Sequence, residues 1–214
     1  MRVYIPNFKG TDQTLLRYAV RSWVRYFFDA ELWIVGEVPT FDFKAEGVTS
    51  VFETENETAC QILQRAARVS ELDQLLVWSE PSIILCNKIT PAHLFIPKRL
   101  NPHTPFMSCP QVFGRKELLK LLEGLSPDKS FDDIVHEYHA HYLYDIAGLT
   151  ADWRTDNITL PLMSRTPDVH RARSMAASKM FIYVGRGVDR TWVRKFLSAY
   201  FPDKQADSES DEVG

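Results

Sequence analysis

Cysteine is scarce in this sequence and is placed singly. Cys60, Cys86 and Cys109 lie far apart, are odd in number and form no CxxC pair, which argues against a disulfide framework or a zinc ribbon and implies a reducing setting. Long apolar runs are lacking as well: none approaches a bilayer span, and the first residues enter a strand pattern without the layout of a signal peptide, so a cytoplasmic protein without a membrane span is expected. Neither sign of charge dominates. The 25 Lys and Arg against 28 Asp and Glu leave a net charge of −3, and no global basic field for nucleic acid. The segment His136-Glu-Tyr-His-Ala-His141 lacks the HExxH spacing of zinc proteases and an evident fourth ligand, so it reads as histidines on a helix. Val184-Gly-Arg-Gly-Val188 has no Walker lysine and is not a phosphate loop.

What is present suits a single globular domain with one substantial core: 214 residues, 45% apolar and 25% charged. Arg2 to Ile5 reads as a strand ending in the turn-rich Pro6-Asn-Phe-Lys-Gly10, and Thr11 or Asp12 can cap the helix that follows. Leu15, Leu16, Ala19, Val20, Trp23, Val24 and Phe27 then recur at helical spacing. Leu32 to Val35, stopped by Gly36, and Val48 to Phe52 read as strands. A helix opened by Asn56 carries Ala59, Ile62, Leu63, Ala66 and Ala67, and Leu75 to Trp78 is the fourth strand. This order predicts a mostly parallel, Rossmann-like α/β sheet flanked by helices. Further on, Arg115 to Leu125, Asp132 to Tyr144 and Asp189 to Tyr200 read as helices and Met180 to Val184 as a strand. Residues 203–214 read as a disordered acidic tail.

The stretch Leu75-Leu-Val-Trp-Ser-Glu-Pro-Ser-Ile-Ile-Leu-Cys86 sets a carboxylate and a proline inside an apolar run. An unpaired Glu destabilises a buried strand and Pro81 cannot donate to a ladder, so the chain should leave the sheet here. Ligands of such sheets gather at the carboxyl ends of the strands, which makes Asn7 and Lys9, Gly36 and Glu37, and Ser79 and Glu80 candidates. Arg17 and Arg21, one helical turn apart, are placed to reach a diphosphate together with Lys9. Against these readings stand ordinary ones: a turn capped by Glu80, and arginines on a solvated helix face.

Three segments together resemble the nucleotide-sugar half of GT-A glycosyltransferases of the Stealth-like and phage type: Leu16-Arg-Tyr-Ala-Val-Arg-Ser22, Leu32-Trp-Ile-Val-Gly-Glu-Val-Pro39 and the strand from Leu75. Asn101-Pro-His-Thr-Pro-Phe106 and the helix from Trp192 to Pro202 agree with it. The resemblance implies a GT-A-like domain over residues 1–202, with a donor-binding half at 1–100 and an acceptor-side half at 101–202. It further implies sugar transfer from a nucleotide-sugar to an acceptor that is a saccharide, lipid, protein or modified DNA base.

On this resemblance Asn7, Lys9, Arg17, Arg21, Gly36, Glu37, Ser79, Arg171 and Arg173 would bind the donor, and His103 would act on the acceptor hydroxyl. The family's acidic pair after the fourth strand, which holds Mn²⁺ or Mg²⁺, is reduced here to Ser79-Glu80-Pro81, which leaves two alternatives: Glu80 as the metal residue, helped by water and the donor diphosphate, or weak or absent metal binding. The acidic residue before Leu16-Arg-Tyr is also replaced, by Leu15. Arg or Lys side chains, including those of the basic run His170 to Lys179, are then expected to carry part of the charge of the leaving diphosphate. Two other outcomes follow from the same residues: a GT-A-like scaffold that binds without turnover, and a phage-type transferase acting on a DNA base.

Overall fold

In the computed structural model the residues described are 1–28, 30–54, 56–69, 75–94, 109–143, 159–162 and 168–201. The first half runs β1 (Arg2–Asn7), α1 (Gln13–Tyr26), β2 (Glu31–Gly36), β3 (Val48–Phe52), α2 (Ala59–Val69) and β4 (Leu75–Trp78). Asp12 starts α1, its Oδ1 accepting from the N–H groups of Thr14 at 2.9 Å and Leu15 at 3.1 Å. The start of α2 differs from expectation. Thr58 and Gln61 cap it reciprocally: Thr58 N donates to Gln61 Oε1 at 2.8 Å and Gln61 N to Thr58 Oγ1 at 3.3 Å. Asn56 instead takes a left-handed φ of 54°, which an Asn tolerates better than most residues.

The main sheet has the order β3-β2-β1-β4-β6, with β1 to β4 parallel and β6 (Gln111–Gly114) antiparallel to β4. Its alternation sorts side chains between two cores. Val3, Ile5, Leu32, Ile34 and Val77 meet Leu16, Val20 and Trp23 of α1 on one face. Tyr4, Leu76 and Trp78 meet α2, α4 (Arg115–Gly124) and α5 (Phe131–Tyr138) on the other. The expected mostly parallel α/β sheet flanked by helices is the architecture observed.

After β4 the chain breaks at Glu80, where Ile83 N bonds Glu80 O at 2.9 Å, and enters a second sheet instead of continuing the first. There β5 (Ile83–Leu85) pairs antiparallel with β8 (Phe181–Val184), which pairs parallel with β7 (Thr159–Leu162). Two helices, α6 (Val169–Ala176) and α7 (Arg190–Ser198), share a core with this sheet and with Leu15 and Ala19 of α1. One helix thus serves both sheets. The expected helix from Asp132 to Tyr144 is α5 followed by a π-helical turn at His139–Leu143. Tyr144 and the tail at 203–214 lie outside the described residues. Sequence periodicity does not reveal β6, β7 or the single turn α3 (Pro91–Leu94), each four residues long. No helix among the described residues is long and apolar enough to cross a membrane.

Candidate functional site

The carboxyl edge of the main sheet is split. β1 pairs with β2 as far as Asn7 and Gly36, but with β4 only as far as Tyr4 and Trp78. Tyr4 O accepts from Ser79 N at 2.9 Å, so Pro6, two residues further along, faces the same side and has no N–H to offer there. β1 and β4 therefore part above Tyr4. They are also the strands between which the order reverses, the place where open α/β sheets leave a crevice for ligands.

The rim of this crevice is fixed by one buried amide. Asn7 Nδ2 donates to Glu37 O at 2.8 Å and Asn7 Oδ1 accepts from Gln13 Nε2 at 2.7 Å, while Gln13 Oε1 accepts from Thr40 N at 3.1 Å. Glu37 N in turn donates to Asn7 O at 2.7 Å. This closeness requires glycine at position 36. Its φ is +117°, and a Cβ there would stand 2.5 Å from Asn7 O. Asn7 and Gly36 thus hold the turn carrying Phe8 and Lys9 against the end of β2.

Above that rim lies a cleft of about 370 Å³ whose lining includes Lys9, Gly36, Glu37, Thr54, Asn56 and Glu57. Glu57 Oε2 lies 3.2 Å from Arg65 Nη1, so part of the cleft's negative charge is already paired. A smaller, largely apolar compartment of about 190 Å³ adjoins it, walled by Phe8, Ala59, Ile62, Trp78 and Phe131. Phe8, Glu57 and Ile62 belong to both compartments. The Trp78 and Phe131 rings stack with centroids 4.6 Å apart and planes at 27°. The whole suits a ligand with a ring at one end and polar or anionic groups at the other.

Glu80 follows Trp78 at the end of β4. Its Oε1 accepts from Trp78 Nε1 at 3.0 Å. Burial raises its pKa above the ordinary carboxylate range; the indole bond opposes that and the charge of Asp132 adds to it. Tyr183 of β8 lies in the same field: burial raises its pKa, Arg186 opposes that, and the charges of Glu80 and Asp132 reinforce it. A desolvated carboxyl with a raised pKa is better suited to proton transfer than to gripping a hard cation. No group of three His, Cys, Asp or Glu able to hold a metal occurs among the described residues, the histidines from His136 to His141 included.

The other expected residues are distributed as follows. Lys9 and Glu37 line the larger compartment. Ser79 is fully buried, its Oγ accepting from Trp23 Nε1 at 3.2 Å, so it anchors α1 to β4. Arg17 and Arg21 do not line the cleft. Arg17 Nε bonds Glu46 Oε1 at 2.7 Å, and Arg21 bonds both oxygens of the same carboxylate at 2.7 and 2.8 Å. They fasten the connection between β2 and β3 to α1. Arg171 is exposed on α6, and Arg173 is half-buried there with its carbonyl accepting from Tyr200 OH at 3.4 Å. Neither lines the cleft. His103 lies outside the described residues. Sequence reasoning missed Phe8, Thr54, Asn56, Glu57, Ile62, Trp78, Phe131 and Asp132; only the ends of β1, β3 and β4 carried any signal for them.

No family model matches the chain, and no curated protein does. Among solved structures it is similar to a glycosyltransferase involved in the glycosylation of the major capsid of PBCV-1, with a TM-score of 0.49 and 11% identity over 92% of this chain and 98% of that one. It is also similar to the bifunctional IspDF from Campylobacter jejuni, with a TM-score of 0.46 and 13% identity over 64% of this chain and 47% of that one.

Proposed function

We propose that the protein is a glycosyltransferase that holds a nucleotide-sugar in the cleft above β1 and β4. The observation that carries this reading is the split carboxyl edge itself, where Lys9 and an aromatic compartment lie beside the reversal of strand order and Trp78, a wall of that compartment, is bonded to the Glu80 carboxyl behind it. Lys9 faces the diphosphate. The apolar compartment and the hydrogen-bonding groups of Thr54 and Asn56 receive the rest of the donor. Glu80 takes the proton of the acceptor hydroxyl as its oxygen bonds to the anomeric carbon. The bond from that carbon to the diphosphate oxygen breaks with its electron pair, and Lys9 offsets the charge of the departing group. A divalent cation on the diphosphate would add to that charge balance, and the donor's own oxygens and water would supply most of its ligands. The acceptor is a hydroxyl compound.

Thermal shift with UDP-, GDP-, CMP- and TDP-linked sugars, with and without Mn²⁺, tests the reading. At least one donor raises Tm, because a ligand that binds only the folded chain stabilises it by mass action. No response to any donor overturns the proposal and favours a scaffold that binds something else. With a responding donor in hand, Glu80→Gln is expected to keep the donor shift and abolish transfer. Loss of the shift together with activity that EDTA abolishes in the wild type would return Glu80 to the role of a metal ligand.

A further inference from the structure

One side chain belongs both to the aromatic compartment and to the carboxyl beside it. Trp78 is buried, with 1% of its surface exposed, yet it is among the residues that wall the smaller compartment. Its ring stacks on Phe131 from α5 and its indole N–H is committed to Glu80 Oε1. An indole has one donor and no acceptor, so this bond fixes which carboxyl oxygen is engaged and leaves Oε2 for other work. Because the ring is rigid and packed against Phe131, a group that presses on the compartment wall bears directly on that hydrogen bond.

We propose that Trp78 is a positioning residue that couples occupancy of the aromatic compartment to Glu80. A ring-bearing part of the ligand stacks in the compartment against Trp78, and Trp78 in turn holds the Glu80 carboxyl in its working orientation. The proposal rests on the assignment of Glu80 as the proton acceptor for its purpose, but its test needs no donor, so the two can fail separately. The groups that act on Glu80 from the elements around it are Trp78 on β4 and Asp132 on α5, and Glu80 in turn acts, with Asp132 and Arg186, on Tyr183 of β8.

The experiment follows the Glu80 carboxyl by carbon NMR across a pH titration of the full chain, with Glu80→Gln identifying the resonance. Trp78→Phe keeps an aromatic wall and removes the donor. The hydrogen bond favours the charged carboxylate, so its loss moves the Glu80 midpoint to higher pH. Ala59→Phe fills the smaller compartment from the start of α2, and it shifts the midpoint in the wild-type background but not when Trp78 is Phe. A midpoint unmoved by Trp78→Phe, or an effect of Ala59→Phe that is absent or equal in both backgrounds, overturns the proposal. Should Trp78→Phe fail to fold, the wild-type indole N–H resonance decides. It titrates with the Glu80 midpoint if the two are coupled, and stays flat through that midpoint if they are not.

Discussion

Gly36 shows how closely one residue can be specified by its neighbours. Its left-handed φ and the 2.5 Å approach of a notional Cβ to Asn7 O leave room for hydrogen alone. Gly36→Ala is expected to cost about 3 kcal/mol, at the upper end of what a strained backbone position costs, read as a fall in urea midpoint with an unchanged slope. Lys9 is the opposite case. It is exposed on the turn, so Lys9→Ala should leave stability within about 0.5 kcal/mol while weakening the binding of any anionic ligand in the cleft; calorimetry with a responding donor separates the two effects. Retention of full donor affinity by Lys9→Ala would remove Lys9 from the site.

At the scale of elements, α1 is held by a buried ion-pair cluster. Glu46 and Arg21 expose 7% and 8% of their side chains, and Glu46 also receives Arg17. Removing one partner of such a pair strands a buried charge, so Glu46→Ala is expected to cost about 3–5 kcal/mol. Burial pushes the Glu46 carboxyl up, but the hydrogen bonds and charges of Arg21 and Arg17 outweigh it and hold the pKa below the ordinary glutamate value. A folded-state pKa below the unfolded one contributes stability above the ordinary glutamate range and loses it as pH falls through the folded value. The stability gap between wild type and Glu46→Gln should therefore be full at neutral pH and narrow in acid, as measured by denaturation at a series of pH values. A gap that is constant with pH would show that the carboxylate charge does not hold the connection between β2 and β3.

Across the whole molecule, the two sheets are joined through α1, whose Leu16, Val20 and Trp23 enter one core while Leu15 and Ala19 enter the other. Arg190 on α7 also pairs with Asp12 at the start of α1, at 3.0 Å. Such sharing predicts one cooperative unfolding transition, with circular dichroism and tryptophan fluorescence coinciding. Phe196→Ala in the second core, where the ring is fully buried, should lower that single transition by about 3–5 kcal/mol without splitting it. Two separated transitions would mean that the second sheet folds on its own.

The sequence by itself determined the first half of the fold. Its apolar periods are long enough to distinguish helix from strand in α1, α2 and β1 to β4, and the break at Ser79-Glu80-Pro81 is written in residues that a continuous strand tolerates poorly. It also marked the strand ends, which are legible wherever periodicity stops: Lys9, Gly36, Glu37 and Glu80 all stand at or just beyond the ends of β1, β2 and β4. Tertiary structure decided the remainder. The four residues of β6 and β7 include Gln111 and Gly114, or Thr159 and Pro161, and so lack the unbroken apolar run that marks β4 and β8, and the second sheet exists only because β5 finds β8 nearly a hundred residues later. The roles of charged and polar side chains were likewise settled by partners distant in the chain: Glu46 claims Arg17 and Arg21, and Glu37 claims Asn7. The aromatic wall of Phe8, Trp78 and Phe131 comes together from the turn after β1, from β4 and from α5. Hydrophobic periodicity fixes which face a residue takes, whereas a hydrogen bond or ion pair is fixed by the group that arrives opposite it, and only the assembled fold supplies that group.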